Sequence, residues 1–172
     1  LSNDEFPDRS RVSPMKIVYR MDMKLVGANA VRPAGQDQLT VYSNYYLGHC
    51  PDGITYVPSY ASIVYPDVYD NIDLLYTLKS GRVKYAFHVR PGGDVSDIRM
   101  RFEGATHFGV DDSGQLTVYS PQGEIREQKP ISWQDDGTSV VSSFRVWNDI
   151  VGFDVEEYDR NQTLILDPWA IY

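Results

Sequence analysis

The chain has 172 residues, a length that fits one domain and allows a hydrophobic core without disulfide or metal staples. Its formal net charge is −8 and its 16 Lys and Arg residues are scattered, which argues against nucleic acid and anionic membranes as partners. No apolar run approaches the roughly 18 residues of a membrane-spanning helix, and the single cysteine, Cys50, excludes an internal disulfide.

The first half of the chain shows the two-residue periodicity of strands with one wet face. Residues 1–14 are polar and contain two prolines, which predicts a flexible lead-in. The strands predicted after it are 15–26, 39–47, 60–65, 72–78 and 82–89. The last two flank Lys79, Ser80 and Gly81, which is a short hairpin signal.

The stretch after residue 89 predicts a corner of the fold. Pro91 and Gly92 fit the central pair of a type II turn, because Pro presets φ and Gly accepts the positive φ that follows. Asp94 is placed to cap a single helical turn, with Asp97 three residues later. This connection is long for a tight hairpin and therefore predicts a crossing between two sheets.

The second half repeats the same pattern of short strands and turn residues. Its predicted strands are 115–119, 124–128, 131–134, 139–147, 150–155 and 163–166. No segment of ten residues shows a helical period, so we expect little helix. We predict an all-β chain in which residues 15–172 form one antiparallel two-sheet sandwich, with a jelly roll as one arrangement that the strand pattern allows.

An ordered series of segments then carries a family resemblance. The segments are YVPSYASIVYPDVYDNIDLLY (56–76), VKYAFHVRPGGDVSDIRMRFEGA (83–105), GEIREQKPISWQ (123–134) and YDRNQTLILDP (158–168), with MDMKLVGANA (21–30) ahead of them. The series resembles an uncharacterised extracellular β domain of bacterial secreted proteins. That domain is found ahead of seven-bladed-propeller-type repeats or of gliding-motility-associated C-terminal sorting modules. The resemblance implies a secreted or cell-surface protein with no established activity, whose partners are neighbouring domains of the same polypeptide.

The resemblance also implies that N-terminal strands of the full domain are missing here. An exposed sheet edge recruits partners. We therefore expect either an edge-strand dimer or cover of the edge by residues 1–14. The sequence departs from the family at 45–60, where His49 and Cys50 replace the usual Asn-Asp of a turn.

Catalytic candidates are weak. His49 and Cys50 are adjacent, and adjacent side chains on an extended segment point to opposite faces, so they do not form a nucleophile–base pair without His88 or His107. Strand-end carboxylates such as Glu103 and Glu124 lack the apolar setting and the partner that a glycosidase needs. The interpretation is that the chain is not an enzyme and needs no cofactor.

Two clusters remain as candidate sites. Asp67, Asp70 and Asp73 have a spacing that lets two carboxylates meet at a calcium ion, although Asp73 also suits a structural role at a strand start. Tyrosines are dense between residues 42 and 76, and tyrosine both anchors interfaces and fills the borders of β-cores. The candidate ligand-binding residues are Tyr42, Tyr45, Tyr46, Tyr56, Tyr60 and Tyr69.

These observations favour a non-enzymatic extracytoplasmic module that is structural, adhesive or protein-binding. One alternative is a carbohydrate-binding module of a surface polysaccharide system, in which exposed tyrosines stack on sugar rings. The other is a hydrolase that uses two carboxylates in a cleft.

Overall fold

The computed structural model describes residues 17–79 and 81–171, so the predicted lead-in at 1–14 lies outside the described residues. The strands within them are β1 (Asp22–Leu25), β2 (Ala34–Leu47), β3 (Cys50–Tyr69), β4 (Ile72–Lys79), β5 (Arg82–Val89), β6 (Met100–Glu103), β7 (His107–Val110), β8 (Leu116–Ser120), β9 (Gly123–Gln134), β10 (Ser139–Val140), β11 (Ser142–Trp147), β12 (Ile150–Val155) and β13 (Leu164–Ile171). One short 3-10 helix, Val95–Asp97, joins β5 to β6.

The strands form two antiparallel sheets. The small sheet has the order β1-β6-β12-β11, and the large sheet has the order β2-β3-β4-β5-β13-β9-β8-β7, with β10 beside β9. The sheets pack face to face. Phe87 on β5 contacts Phe153 on β12 across the interface, with ring centroids 6.0 Å apart. The predicted all-β two-sheet sandwich is confirmed.

The β4–β5 hairpin shows how the two-residue period builds the core. Ile72 pairs with Val89 and Leu74 pairs with Phe87, and all four side chains are buried. Directly opposed residues of an antiparallel pair share one face, so the alternating apolar side chains of both strands enter the sandwich together. The predicted β4–β5 hairpin is confirmed by the pairing of Lys79 with Arg82, although Ser80 of its turn lies outside the described residues.

The predicted corner is also confirmed. The Gly93 N–H donates to the Arg90 carbonyl over 2.9 Å, and Gly92 between them has a φ of 91°. The Asp94 side chain then accepts the Ser96 N–H over 2.9 Å and caps the 3-10 turn. The chain passes here from β5 in the large sheet to β6 in the small one.

Several strand boundaries differ from the predicted ones. Strand β1 is only four residues long, β3 extends over 20 residues, and β7 was not predicted. The two strands predicted at 124–128 and 131–134 are one strand, β9, because a register shift opposite β13 accommodates Pro130. Prolines interrupt the sequence pattern but not these strands, since bulges and free edges tolerate a missing donor.

Among the described residues, the one buried carboxyl group is that of Glu127 on β9, a residue that is 4% exposed. The Tyr85 hydroxyl donates to its Oε2 over 2.7 Å and also lies 3.7 Å from Met100 Sδ. Burial raises the pKa of Glu127 above its usual value, and the hydrogen bond from Tyr85 offsets only part of that shift. The folded chain therefore holds the Glu127 proton more tightly than the unfolded chain does.

We expect Glu127→Gln to be more stable than wild type at pH 7. A group whose folded pKa is raised gives stability that is complete below its unfolded pKa and is lost as pH rises through the folded pKa. Glutamine keeps a hydrogen-bond partner for Tyr85 and does not titrate, so the advantage should shrink as pH falls to about 4, near the unfolded pKa of Glu. Thermal melts between pH 4 and pH 8 measure it.

Exposed Glu157 provides the matched control. Its Glu157→Gln variant should melt in parallel with wild type across the same pH range. A lower melting temperature for Glu127→Gln at every pH would show that the folded state needs the carboxylate.

Candidate functional site

The candidate site is a two-stranded ribbon that extends beyond the large sheet. Strand β3 pairs with β4 from Ser62 onward, whereas its earlier residues pair with β2. A two-residue turn at Gly48 and His49 closes the ribbon, with Leu47 opposite Cys50. We call residues 38–60 the β2–β3 arm.

Both faces of the β2–β3 arm are in contact with solvent, and none of its residues is buried. Tyr42 is 55% exposed, Tyr46 is 70% exposed and Tyr56 is 72% exposed. The exposed large apolar side chains of the arm are Leu39, Val41, Tyr42, Tyr45, Tyr46, Leu47, Ile54, Tyr56 and Tyr60. A contiguous set of this kind marks an interaction surface more often than scattered exposure does.

Irregular backbone geometry brings two tyrosine rings of the arm together. Tyr56 has a φ of 56°, which is rare for a bulky residue, and its N–H donates to Asn44 Oδ1 over 2.8 Å. The rings of Tyr42 and Tyr56 then lie 4.9 Å apart between centroids, with an angle of 36° between planes. Register shifts along the β2–β3 pair produce this arrangement, as bulges commonly redirect side chains.

Tyr60 lies at the base of the arm. Its ring covers Gly35 so closely that a Cβ on Gly35 would be 2.5 Å from the ring. Tyr60 also lines an apolar groove of about 360 Å³ together with Ile63, Tyr65, Tyr76, Leu78 and Val83. Ile63 and Leu78 pair with Tyr76 and Val83, yet they are 44% and 66% exposed, because this end of the large sheet extends past the small sheet.

Tyr69 is a correction to the predicted ligand-binding set. It is 4% exposed and belongs to the core, and its hydroxyl donates to the Val26 carbonyl over 3.2 Å. Burial raises the pKa of this phenol. Tyr69 therefore anchors the turn after β1, and it is too deeply placed to contact a ligand.

The acidic cluster is organised around a guanidinium group. Arg90 Nη2 contacts the carboxylates of Asp67 and Asp73, the latter over 3.2 Å. Asp73 Oδ1 also accepts the Asp67 N–H over 2.8 Å, which is the strand-start role that its sequence position allows. Asp70 lies at the margin, with a 3.4 Å contact to Asn29 Nδ2.

Within residues 17–79 and 81–171, no three or more His, Cys, Asp or Glu side chains are placed to hold a metal ion. Calcium at Asp67, Asp70 and Asp73 stays a prediction of the sequence, and Arg90 supplies the positive charge between two of the three carboxylates.

The three histidines lie on separate elements. His49 is in the turn of the arm beside Cys50, His88 is on β5, and His107 on β7 stacks on Tyr119 with centroids 4.1 Å apart. Burial lowers the pKa of His88 against the opposing effect of nearby carboxylates, chiefly Asp73.

The sequence pattern missed most of the arm's second strand. Residues 50–59 contain Pro51, Gly53 and Pro58, which obscure the alternation. The available signal was Gly48-His49 between two runs rich in Tyr, Val and Thr, because a two-residue loop of this kind joins hairpin strands.

Comparison with known proteins gives one family match. A family described as a domain of unknown function, DUF7948, matches residues 2–169. No curated protein and no solved structure shows significant similarity to the chain. None of the described residues forms a helix of the length and apolarity that crossing a membrane requires.

Asp73→Ala should destabilise the fold by about 1–3 kcal/mol, because it removes the acceptor of the Asp67 N–H and one of the two carboxylates that contact Arg90. Asp70→Ala is the matched control and should change stability by less than about 0.5 kcal/mol. Urea denaturation measures both. An increase in the unfolding midpoint with added calcium, abolished by Asp70→Ala, would show instead that the cluster binds the ion.

Proposed function

The chain belongs to the DUF7948 family of unknown function, and we propose that it is a non-enzymatic interaction module that binds its partner through the β2–β3 arm. In this proposal the domain is a structural or adhesive part of a larger secreted or cell-surface protein. The observation that carries it is a two-stranded ribbon, residues 38–60, whose apolar and tyrosine side chains have no core beneath them.

The physical argument concerns the stability of such a ribbon. An isolated two-stranded hairpin is at best marginally stable in water, and stability comes from a third strand or a packed face. The arm has neither among the described residues. A partner that covers the arm would supply the missing packing, and tyrosine is enriched in the buried centres of interfaces.

The proposed extracellular location has separate support. It rests on the resemblance of segments 56–76, 83–105 and 123–134 to a domain of bacterial secreted proteins. The partners that follow from this are neighbouring domains of the same polypeptide and proteins on a cell surface.

Carbohydrate binding is the second candidate function. The exposed rings of Tyr42 and Tyr56, 4.9 Å apart, favour it because aromatic faces of this kind stack on sugar rings. Adjacent Asn44 uses its side-chain oxygen to hold Tyr56 in position.

The test replaces Tyr42, Tyr46 and Tyr56 with alanine in one variant. Labelled protein is incubated with wild-type cells of the source organism, which produce the neighbouring domains and the other copies of this chain, and the retained fluorescence is measured. Loss of several buried tyrosine anchors should reduce retention at least about tenfold. The far-ultraviolet spectrum should stay that of a β protein.

The matched control replaces three exposed apolar residues far from the arm, Ile131, Val141 and Val146, with alanine. Cells should retain this control variant to the same extent as they retain the wild type. Equal retention of both variants, or no retention of wild type, would contradict the proposal. Glycan-array binding that only the tyrosine variant loses would establish the carbohydrate function in its place.

A further inference from the structure

We propose that the outer edge of β2 pairs with the same edge of a second copy of this chain, so that two large sheets join about a two-fold axis. This inference rests on the proposed function, because it names the partner of the β2–β3 arm. It follows from the position, the length and the charge of β2.

Strand β2 is the terminal strand of the large sheet. It pairs with β3 on one side, and no strand of residues 17–79 and 81–171 pairs with its other side. It is 14 residues long, its register with β3 shifts between Gln38 and Leu47, and its outward backbone donors and acceptors have no strand partner among the described residues. Such an edge is a template for another strand.

The other edges of the sandwich are protected in the usual ways. Strands β1 and β7 are only four residues long, and β1 includes Asp22 and Lys24. Strand β11 is six residues long and includes Arg145. Short length and charged side chains both discourage strand addition. Strand β2 is longer than these strands, contains no proline and has Asp37 as its only charged residue.

Charge favours an identical partner at this edge. The whole chain carries a net charge of −8, so two copies repel each other over most of their surface. The arm carries one carboxylate, Asp52, within residues 38–60. The β2 edge is therefore the part of the molecule where two copies meet with little like-charge repulsion.

A two-fold axis can lie where Asp37 of one copy does not face Asp37 of the other, which avoids repulsion between the two carboxylates. In an antiparallel pair of identical strands, Asp37 faces its own copy only if the axis passes through Asp37. An axis anywhere between Leu39 and Leu47 places Asp37 beside an uncharged residue or beyond the end of the partner strand. An axis at Ser43, for example, pairs Val41 with Tyr45 and Leu39 with Leu47, and apolar cross-strand pairs of this kind stabilise antiparallel strands.

Val41→Lys and Val110→Lys test the inference as a matched pair. Val41 on β2 is 59% exposed and Val110 on β7 is 37% exposed, so both variants change the net charge equally at opposite edges of one sheet. Sedimentation equilibrium of the purified wild type should show reversible dimers of the 19.6 kDa chain. Dimerisation should strengthen with added NaCl, because salt screens the repulsion between acidic copies.

Val41→Lys should raise the dimer dissociation constant at least about tenfold, because it sets two lysines near the axis. Val110→Lys should leave the constant within about twofold of wild type. In wild type, hydrogen exchange at β2 amides should slow as protein concentration rises.

A wild-type chain that stays monomeric at high concentration overturns the inference, whether residues 1–14 or a different protein covers the edge. A dimer that Val41→Lys leaves intact also overturns it, because the contact then lies elsewhere. Neither result changes the outcome that the proposed function predicts for the cell-retention assay. A monomer that still binds cells through Tyr42, Tyr46 and Tyr56 keeps the proposed function and removes only the second copy.

Discussion

The packing of the small sheet on the large one, centred on Phe87 and Phe153, is the contact on which the rest of the molecule depends. A sheet of four strands covers only part of a sheet of nine. Under the small sheet, alternate side chains such as Ile72 and Leu166 are fully buried. Beyond its margin the large sheet continues without a cover, first along the apolar groove and then as the β2–β3 arm.

Polar groups inside and beside this core link strands that are distant in the sequence. Tyr85 and Glu127 join β5 to β9 across the interior of the large sheet, and Ser132 and Ser142 join β9 to β11 by a 2.6 Å contact. At the rim of the core, Arg90 joins the end of β3 to the start of β4 through its contacts with Asp67 and Asp73. Each contact links positions that the chain separates by ten or more residues. A buried polar atom lowers the stability of the fold unless it is hydrogen-bonded.

Local pattern predicted the parts of the fold in which one face is dry and the other wet. The β4–β5 hairpin and the turn at Pro91 and Gly92 follow from two-residue periodicity and turn chemistry. The arm did not follow, because both of its faces are wet and its prolines break the pattern. Tyr56 and Tyr69 show the limit most clearly: one is 72% exposed and the other 4%, and only the position of the second sheet separates them. Likewise, carboxylate spacing was visible in the sequence, whereas the approach of Arg90 to Asp73, 17 residues away, was not.

Two prolines distinguish the β3 strand of the arm from its β2 strand. Pro51 and Pro58 lie in the stretch of β3 that precedes its pairing with β4. Proline has no backbone N–H, so this part of β3 offers fewer hydrogen-bond donors than β2, which contains no proline. Strand addition is therefore better supported along β2 than along this part of β3. A two-fold dimer of the proposed kind would use the β2 edge of both copies and would leave only the proline-bearing edge of the arm for a further strand.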